Sequence, residues 1–300
     1  MDIRRLHYTT TTGLLGMFKD YTAEDPNIKL WATHYKYMND PQEFELGSKY
    51  CTEIINDIEN DLNVPCQYRY KTWVSKKLYA DIINNHRRTT DGQLTCPYIM
   101  SFSKAYDSLH MWDMYASNGN GLALVFDNSK LLLDARICLK DCYYCDPDCT
   151  NVFQCLRQKY KDDIKEIYLE ATRNFPIEAL EKGMEKGDYT ALFSRIYSLQ
   201  TLVNGHIGIR IKHLAYRIED ESRITVNCKN NFKLLFRDRK GIILPYIEYP
   251  IPFDCVDHIL VGPTTDFNLA KESILLFLDY KGVKNWNENK IMQSKVPYRI

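Results

Sequence analysis

Three widely separated stretches of this chain hold the residue types best suited to chemistry. The first is Leu6-His7-Tyr8-Thr9. On a strand, His7 and Thr9 project to one face. An imidazole beside a hydroxyl makes a donor/acceptor pair that suits a ribose edge or an amide. A satisfied strand histidine ahead of a turn-making threonine run accounts for the same residues. The second stretch is LWATHYKYMNDPQEFELG, residues 30–47. Extended backbone over its first part puts Trp31, Thr33, Tyr35 and Tyr37 on one face and His34 on the other. The polar breaker Asn39-Asp40-Pro41 follows. Asp40 there is a helix cap, Pro41 the first helical residue and Glu43 a carboxylate that favours the helix dipole. Such a turn starts a helix and can also wall a cleft.

The third stretch is Glu219-Asp220-Glu221-Ser222-Arg223. A period of two lines up Glu219, Glu221, Arg223 and Thr225. Arg223 beside Glu221 keeps that carboxylate ionised. A fixed negative charge is what a developing oxocarbenium ion needs next to it. A solvated strand face with a cross-pair is the competing account. Two further groups stand out. Ser101-Phe102-Ser103 leads through Asp107 to Trp112 and Tyr115, then to Gly119-Asn120-Gly121, whose glycines allow close backbone approach to a ligand. The Gly-Lys-Ser/Thr ending of a phosphate-binding loop is absent. Cys138, Cys142, Cys145, Cys149 and Cys155 contain one CxxC with irregular neighbours, a weak zinc pattern. Reduced bystander thiols fit it better.

These residues need elements to hold them. Residues 3–9 read as a strand, and Thr9–Thr12 with Gly13 cap a helix from about Leu14 to Phe18. Residues 29–37 read as a second strand, ended by Asn39-Asp40-Pro41. Apolar residues at helical spacing predict helices over 42–62 and 68–86. Tyr98–Ser103 and Gly121–Phe126 are strands. Residues 152–172 and 176–203 are long charged helices, the second weakened by Gly183 and Gly187. Residues 215–227 form a strand. Residues 232–236 and 241–247 form a hairpin, His258–Val261 a strand, 267–281 a helix, and a short strand lies near Ile291. Strands and helices do not alternate strictly, so the expected class is α+β. The expected organisation is one domain, 1–300, with a helical insertion at about 130–205.

Bulk composition narrows the function classes. The chain has 300 residues with 39 basic and 39 acidic side chains, so no overall field draws it to nucleic acid or anionic lipid. Tyrosine is abundant, at 22 residues; it packs cores as readily as it stacks on ligands. No apolar run approaches the ~20 residues that span a bilayer. MDIRRLHYTT lacks the apolar segment of a secretory signal. The expectation is a cytoplasmic protein with reduced thiols and no membrane partner.

Taken in order, His7-Tyr8-Thr9, LWATHYKYMNDPQEF, SFSKAYDSLHMWDMYASNGNGLALVFD, EDESR, VGP and SKVPYR resemble the bacterial domain-of-unknown-function 2971 family. The resemblance runs over nearly the whole chain and is least in the insertion at 130–205. The block order is more distantly similar to the His-Tyr-Glu group of ADP-ribosyltransferases. That similarity implies a mixed or antiparallel split sheet and NAD as substrate. His7 would hold a ribose, Tyr37 (or Tyr35) would stack on nicotinamide, and Glu221 would stabilise the ribosyl cation. The implied NAD-contacting set is His7, Tyr8, Thr9, Trp31, Tyr35, Asn39, Asp40, Ser101, Ser103, Trp112 and Arg223. The implied activity is a mono-ADP-ribosyltransferase or NAD glycohydrolase, of toxin or defence type, with a protein, nucleic acid or water acceptor. Two alternatives stand beside it. One is a non-catalytic module that binds a nucleotide or a partner. The other is a nuclease with Asp40, Glu43 and Glu221 around a metal. Everything in the catalytic reading requires His7 and Glu221 to share a pocket.

Overall fold

The computed structural model describes residues 4–38, 43–77, 96–132, 139–146, 150–226, 232–239, 241–284 and 286–298. The chain opens with β1 (Arg5–Thr9). Thr10 then caps α1 (Thr11–Met17), its hydroxyl accepting the Gly13 N–H. β2 (Asn27–His34) follows, then α2 (Glu43–Asp61) and α3 (Tyr70–Val74). Next come β3 (Tyr98–Ser103), α4 (Leu109–Tyr115), β4 (Leu122–Phe126) and α5 (Asn128–Leu131). Short β5 (Leu139–Asp141) and β6 (Tyr143–Cys145) lead into α6 (Thr150–Thr172), α7 (Ile177–Glu185) and α8 (Thr190–His206). The chain returns through β7 (Ile211–His213) and β8 (Glu221–Val226). It closes with β9 (Leu235–Arg239), β10 (Ile242–Pro252), β11 (Val256–Val261), α9 (Phe267–Tyr280) and β12 (Ile291–Gln293).

The class is α+β, built on a mainly antiparallel open sheet in the order β12-β11-β4-β1-β3-β2-β10-β9, with β8 and β5 joined through β3. β3 is the branch point. One of its edges pairs with β8 from Tyr98↔Val226 to Ser103↔Glu221. The other edge is shared by two strands: β1 meets it at Leu6↔Ser103, and β2 meets it at Thr33↔Ile99 and His34↔Tyr98. Both are antiparallel to β3, so they run parallel to each other and diverge, leaving a gap beside Ser101. α1, which follows β1, carries Leu14, Met17 and Phe18 into the main core. Its Gly16 lies flat on Trp31: a Cβ there would sit 2.7 Å from the indole ring. Only a glycine permits that approach.

Alternation along the strands feeds two sides of the sheet. Leu30, Ala32, Met100, Phe102, Leu124 and Ile224 fill a core with α1 and α9. Leu6, Tyr8, Ala123 and Val125 pack under α4 on the other side. A separate helical core gathers α2, α3, α6, α7 and α8 around Ile54, Ile58, Tyr168 and Ile196. α2 and α3 thus join the helices of the expected insertion. Gly47 of α2 lies directly on the Gly208 carbonyl, where any side chain would collide.

Four elements differ from the sequence expectation. The second strand stops at His34, because the His34 imidazole accepts the Lys36 N–H and turns Tyr35–Tyr37 into a 3-10 turn. The strand expected over 215–227 begins only at Glu221: Leu214–Glu219 is 3-10, and Asp220 takes a left-handed conformation at φ 40°. The helix expected over 176–203 is two helices, parted where Gly187 adopts φ +73°. Of the helix expected over 68–86, the described part is a 3-10 turn at Cys66–Tyr68 followed by the short α3.

Candidate functional site

Ladder register decides whether His7 and Glu221 can meet. Paired residues of an antiparallel ladder project to the same side. Leu6 pairs with Ser103 and Ser103 with Glu221, so these three share a side. His7, one residue further along β1, projects to the other side, where its ring lies 5.9 Å from that of Phe102. The structure therefore does not bring the first-strand imidazole and the late carboxylate into one pocket.

Glu221 belongs instead to a closed ionic network. Its oxygens accept Arg223 Nε at 2.8 Å, Arg223 Nη2 at 3.0 Å and Lys212 Nζ at 2.6 Å. Lys212 also reaches Glu219 at 2.6 Å, whose other oxygen accepts the Tyr115 hydroxyl at 2.7 Å. The backbone N–H of Glu221 donates to the Tyr144 hydroxyl at 2.6 Å, and Arg223 also donates to the Ile209 carbonyl. All four charged side chains are buried. Burial alone would raise the Glu221 carboxyl, but Arg223 and Lys212 override it and hold it at about 2. Two acids facing two bases at full contact, with their oxygens already taken, form a brace that joins β7, β8 and the turn between them. The alignment of Glu219, Glu221 and Arg223 expected on one strand is replaced by convergence from a turn and a strand.

The remaining expected residues divide between packing and the gap. Tyr8 is buried, donating to the Ala105 carbonyl at 2.8 Å and accepting the Ser108 N–H at 3.1 Å. Burial pushes its phenol up to about 12. Thr9 is buried at the start of the turn into α1. Trp112 is fully buried, its indole donating to Asp107 at 2.8 Å, and serves the core beneath α4. Ser103 donates to the Glu219 carbonyl at 2.6 Å. Tyr35 packs on His34, and Tyr37 meets His34 edge-on, so neither lies in the row with Trp31 and Thr33 that the sequence pattern suggested. Asn39 and Asp40 lie outside the described residues, as do Cys138 and Cys149. Cys142 and Cys145 are buried and Cys155 is exposed. Among the described residues no group of three metal-ligating side chains converges. The nuclease arrangement loses Glu221 to its cations.

His7 meets only the backbone of Ser101, at the gap where β1 and β2 part; Thr33↔Ile99 places Trp31, Thr33 and the Ser101 side chain on the side of the sheet that carries Ser103 and Glu221. His7 Nδ1 lies 3.0 Å from the Ser101 carbonyl on the open edge of β3. That carbonyl only accepts, so Nδ1 carries the proton and Nε2 is left as an acceptor. Burial lowers the His7 pKa and the Arg237 cation lowers it further, while the Ser101 carbonyl works the other way. His7 is accordingly neutral at pH 7.

Arg237, from β9, is the charged group of this gap. Its guanidinium lies over the Trp31 ring at 4.9 Å and the Tyr246 ring at 5.4 Å. Nη2 donates to Thr33 Oγ1 at 2.8 Å. Leu244↔Arg237 and Tyr246↔Thr33 fix this stack through the β9-β10-β2 ladder. Burial and the neighbouring Arg239 both lower the Arg237 pKa. Sequence reasoning missed Arg237 and Tyr246, and took Thr33 only as a neighbour of Trp31 on one strand face. Residues 238–241 read as the turn of a hairpin, and the signal lay in the alternation Leu235, Arg237, Arg239 on an extended β9. It also missed Lys212, although a lone lysine after Ile207, Ile209 and Ile211 is a sign of a buried cation with partners.

Away from the split, a groove of about 460 Å³ between α2 and α6 is lined by Asp57, Asp61, Arg157 and Lys161. Its charges satisfy one another, Arg157 on Asp57 and Lys161 on Asp61.

The fold is that of an α+β protein with a mainly antiparallel open sheet, parted between β1 and β2, and a cluster of aromatic and cationic groups near the parting. Residues 111–224, from α4 into β8, match the family model described as Protein of unknown function (DUF2971), which supports the resemblance read from the sequence. The match takes in 130–205, the part expected to resemble the family least, and includes the Lys212–Glu219–Glu221–Arg223 brace. No curated protein and no solved structure matches the chain. Among the described residues no helix is long and apolar enough to cross a membrane.

Proposed function

We propose that this protein is a nucleotide-binding module, with the ligand seated at the split of an ADP-ribosyltransferase-like sheet and without NAD-consuming chemistry at Glu221. One observation carries the reading: His7 and Glu221 leave the sheet on opposite sides, and Glu221 is sealed between Arg223 and Lys212. A carboxylate must reach a ribose hydroxyl to stabilise a ribosyl cation. Glu221 would have to exchange two charge-assisted partners for that role. The gap supports binding in its own right. A neutral imidazole with an acceptor nitrogen, within electrostatic range of an aromatic-backed guanidinium, suits the ribose and phosphate parts of a nucleotide.

The test is incubation of the wild-type protein with NAD, ADP-ribose and ADP, following both binding and nicotinamide release. Binding without release is the expected result, and His7→Ala weakens it. Nicotinamide release that disappears in a folded Glu221→Gln variant would overturn the reading and restore the enzymatic one.

A further inference from the structure

Arg237 has more buried donors than the described residues supply acceptors for. Its Nη2 is bonded to Thr33, but its Nε is buried with no hydrogen-bond partner. The indole Nε1 of Trp31, on which the guanidinium lies, is buried and equally unpartnered. The Ser101 hydroxyl, on the same side of the sheet as Trp31, is in the same condition. Guanidinium and indole N–H groups can only donate. Among the described residues no carboxylate forms an ion pair with Arg237, unlike Arg5, Arg157 and Arg223, each of which faces an acid. Buried cations are ordinarily paired, and buried donors ordinarily bonded. The aromatic faces of Trp31 and Tyr246 offset part of the cost of shielding the charge, but they accept no N–H bond in the plane of the guanidinium.

Surplus buried donors beside a half-buried guanidinium that faces no acid among the described residues are complementary to an oxyanion. From this surplus we infer that Arg237 is the anchor for the phosphate of the ligand, with Trp31 Nε1 and the Ser101 hydroxyl as further donors at the same gap. This rests on the nucleotide reading above and adds to it the part of the ligand that carries the affinity. Arginine suits the role because its planar fork meets two oxygens of one phosphate, which a lysine cannot do. His7, with Nε2 as acceptor, leaves β1 on the other side but lies within electrostatic range of Arg237 across the gap, where a ribose hydroxyl can donate to it.

The experiment is calorimetric titration of the whole chain with ADP, adenosine and inorganic pyrophosphate, for wild type, Arg237→Gln and Arg237→Lys. Wild type is expected to bind ADP at least tenfold more tightly than adenosine. Arg237→Gln should reduce ADP to the affinity of adenosine, and Arg237→Lys should fall between them. The wild-type comparison needs no variant, so it decides the matter even if Arg237→Gln fails to fold. Adenosine binding as tightly as ADP, or a folded Arg237→Gln that binds ADP like wild type, overturns the anchor and leaves the nucleotide reading in place. Binding of pyrophosphate alone keeps the anchor and overturns the nucleotide reading. Binding of none of the three overturns both.

Discussion

His7 and Glu221 sit on strands that flank the same neighbour, β3, yet their side chains leave the sheet on opposite sides. The consequence is a division of labour. On one side Glu221 braces β7 to β8 through Lys212 and Arg223. The proposed ligand site, with His7 and Arg237, lies at the split.

The brace predicts a stability phenotype for Glu221. Removing one partner of a buried, hydrogen-bonded charge cluster leaves the others uncompensated, typically at a cost of about 3–5 kcal/mol. Glu221→Gln is therefore expected to lower the unfolding free energy by that amount in urea melts. A change under about 1 kcal/mol would mean that the cluster is solvated and open.

The same group sets an acid limit. Its folded pKa lies at about 2, below the ordinary carboxyl value of 4.5. Its contribution is thus complete above pH 4.5 and is lost as pH falls through 2. Wild-type stability should drop across that window, and Glu221→Gln should drop less.

Glu59 predicts the opposite slope in the helical core. This fully buried carboxyl accepts the Tyr70 N–H at 3.0 and 3.2 Å and the Tyr168 hydroxyl at 3.3 Å. Burial pushes it up to about 7 despite the Tyr70 N–H and Arg195. The folded state holds a proton between pH 4.5 and 7 that the unfolded chain releases, so stability falls as pH rises through that range. The size is about 3 kcal/mol at most. Glu59→Gln should flatten this slope, as read from unfolding midpoints at pH 5 and pH 8.

Gly16 tests the link between α1 and the gap. A methyl group 2.7 Å from the Trp31 ring must displace α1 or the indole. Gly16→Ala should cost about 1–3 kcal/mol and should also weaken ADP binding, because Trp31 supports Arg237. Lost stability with unchanged ADP affinity would uncouple the two.

The sequence made the scaffold legible where local signals were strong. Tyr98–Ser103, the 42–62 helix and the 267–281 helix follow from alternation, helical period and capping residues. The Asp-Pro turn at residues 39–42, by contrast, lies outside the described residues, and only the start of α2 at Glu43 can be compared with it. What sequence could not show was register. His7 and Glu221 carry the right side chains for an NAD site, but a strand projects alternate residues to opposite sides. Which side each takes depends on Leu6↔Ser103 and Ser103↔Glu221, pairings between strands about 100 residues apart. Arg237 was hidden for a related reason. An arginine near a hairpin reads as solvated until β9 is seen to run its full length beside β10, placing Trp31 and Tyr246 beneath it.

The most direct measurement is a crystal structure of the protein grown with ADP. A diphosphate oxygen within hydrogen-bond distance of Arg237 and the ribose beside His7 is the expected result. ADP bound beside Lys212 and Glu221, with Arg237 untouched, would contradict the account.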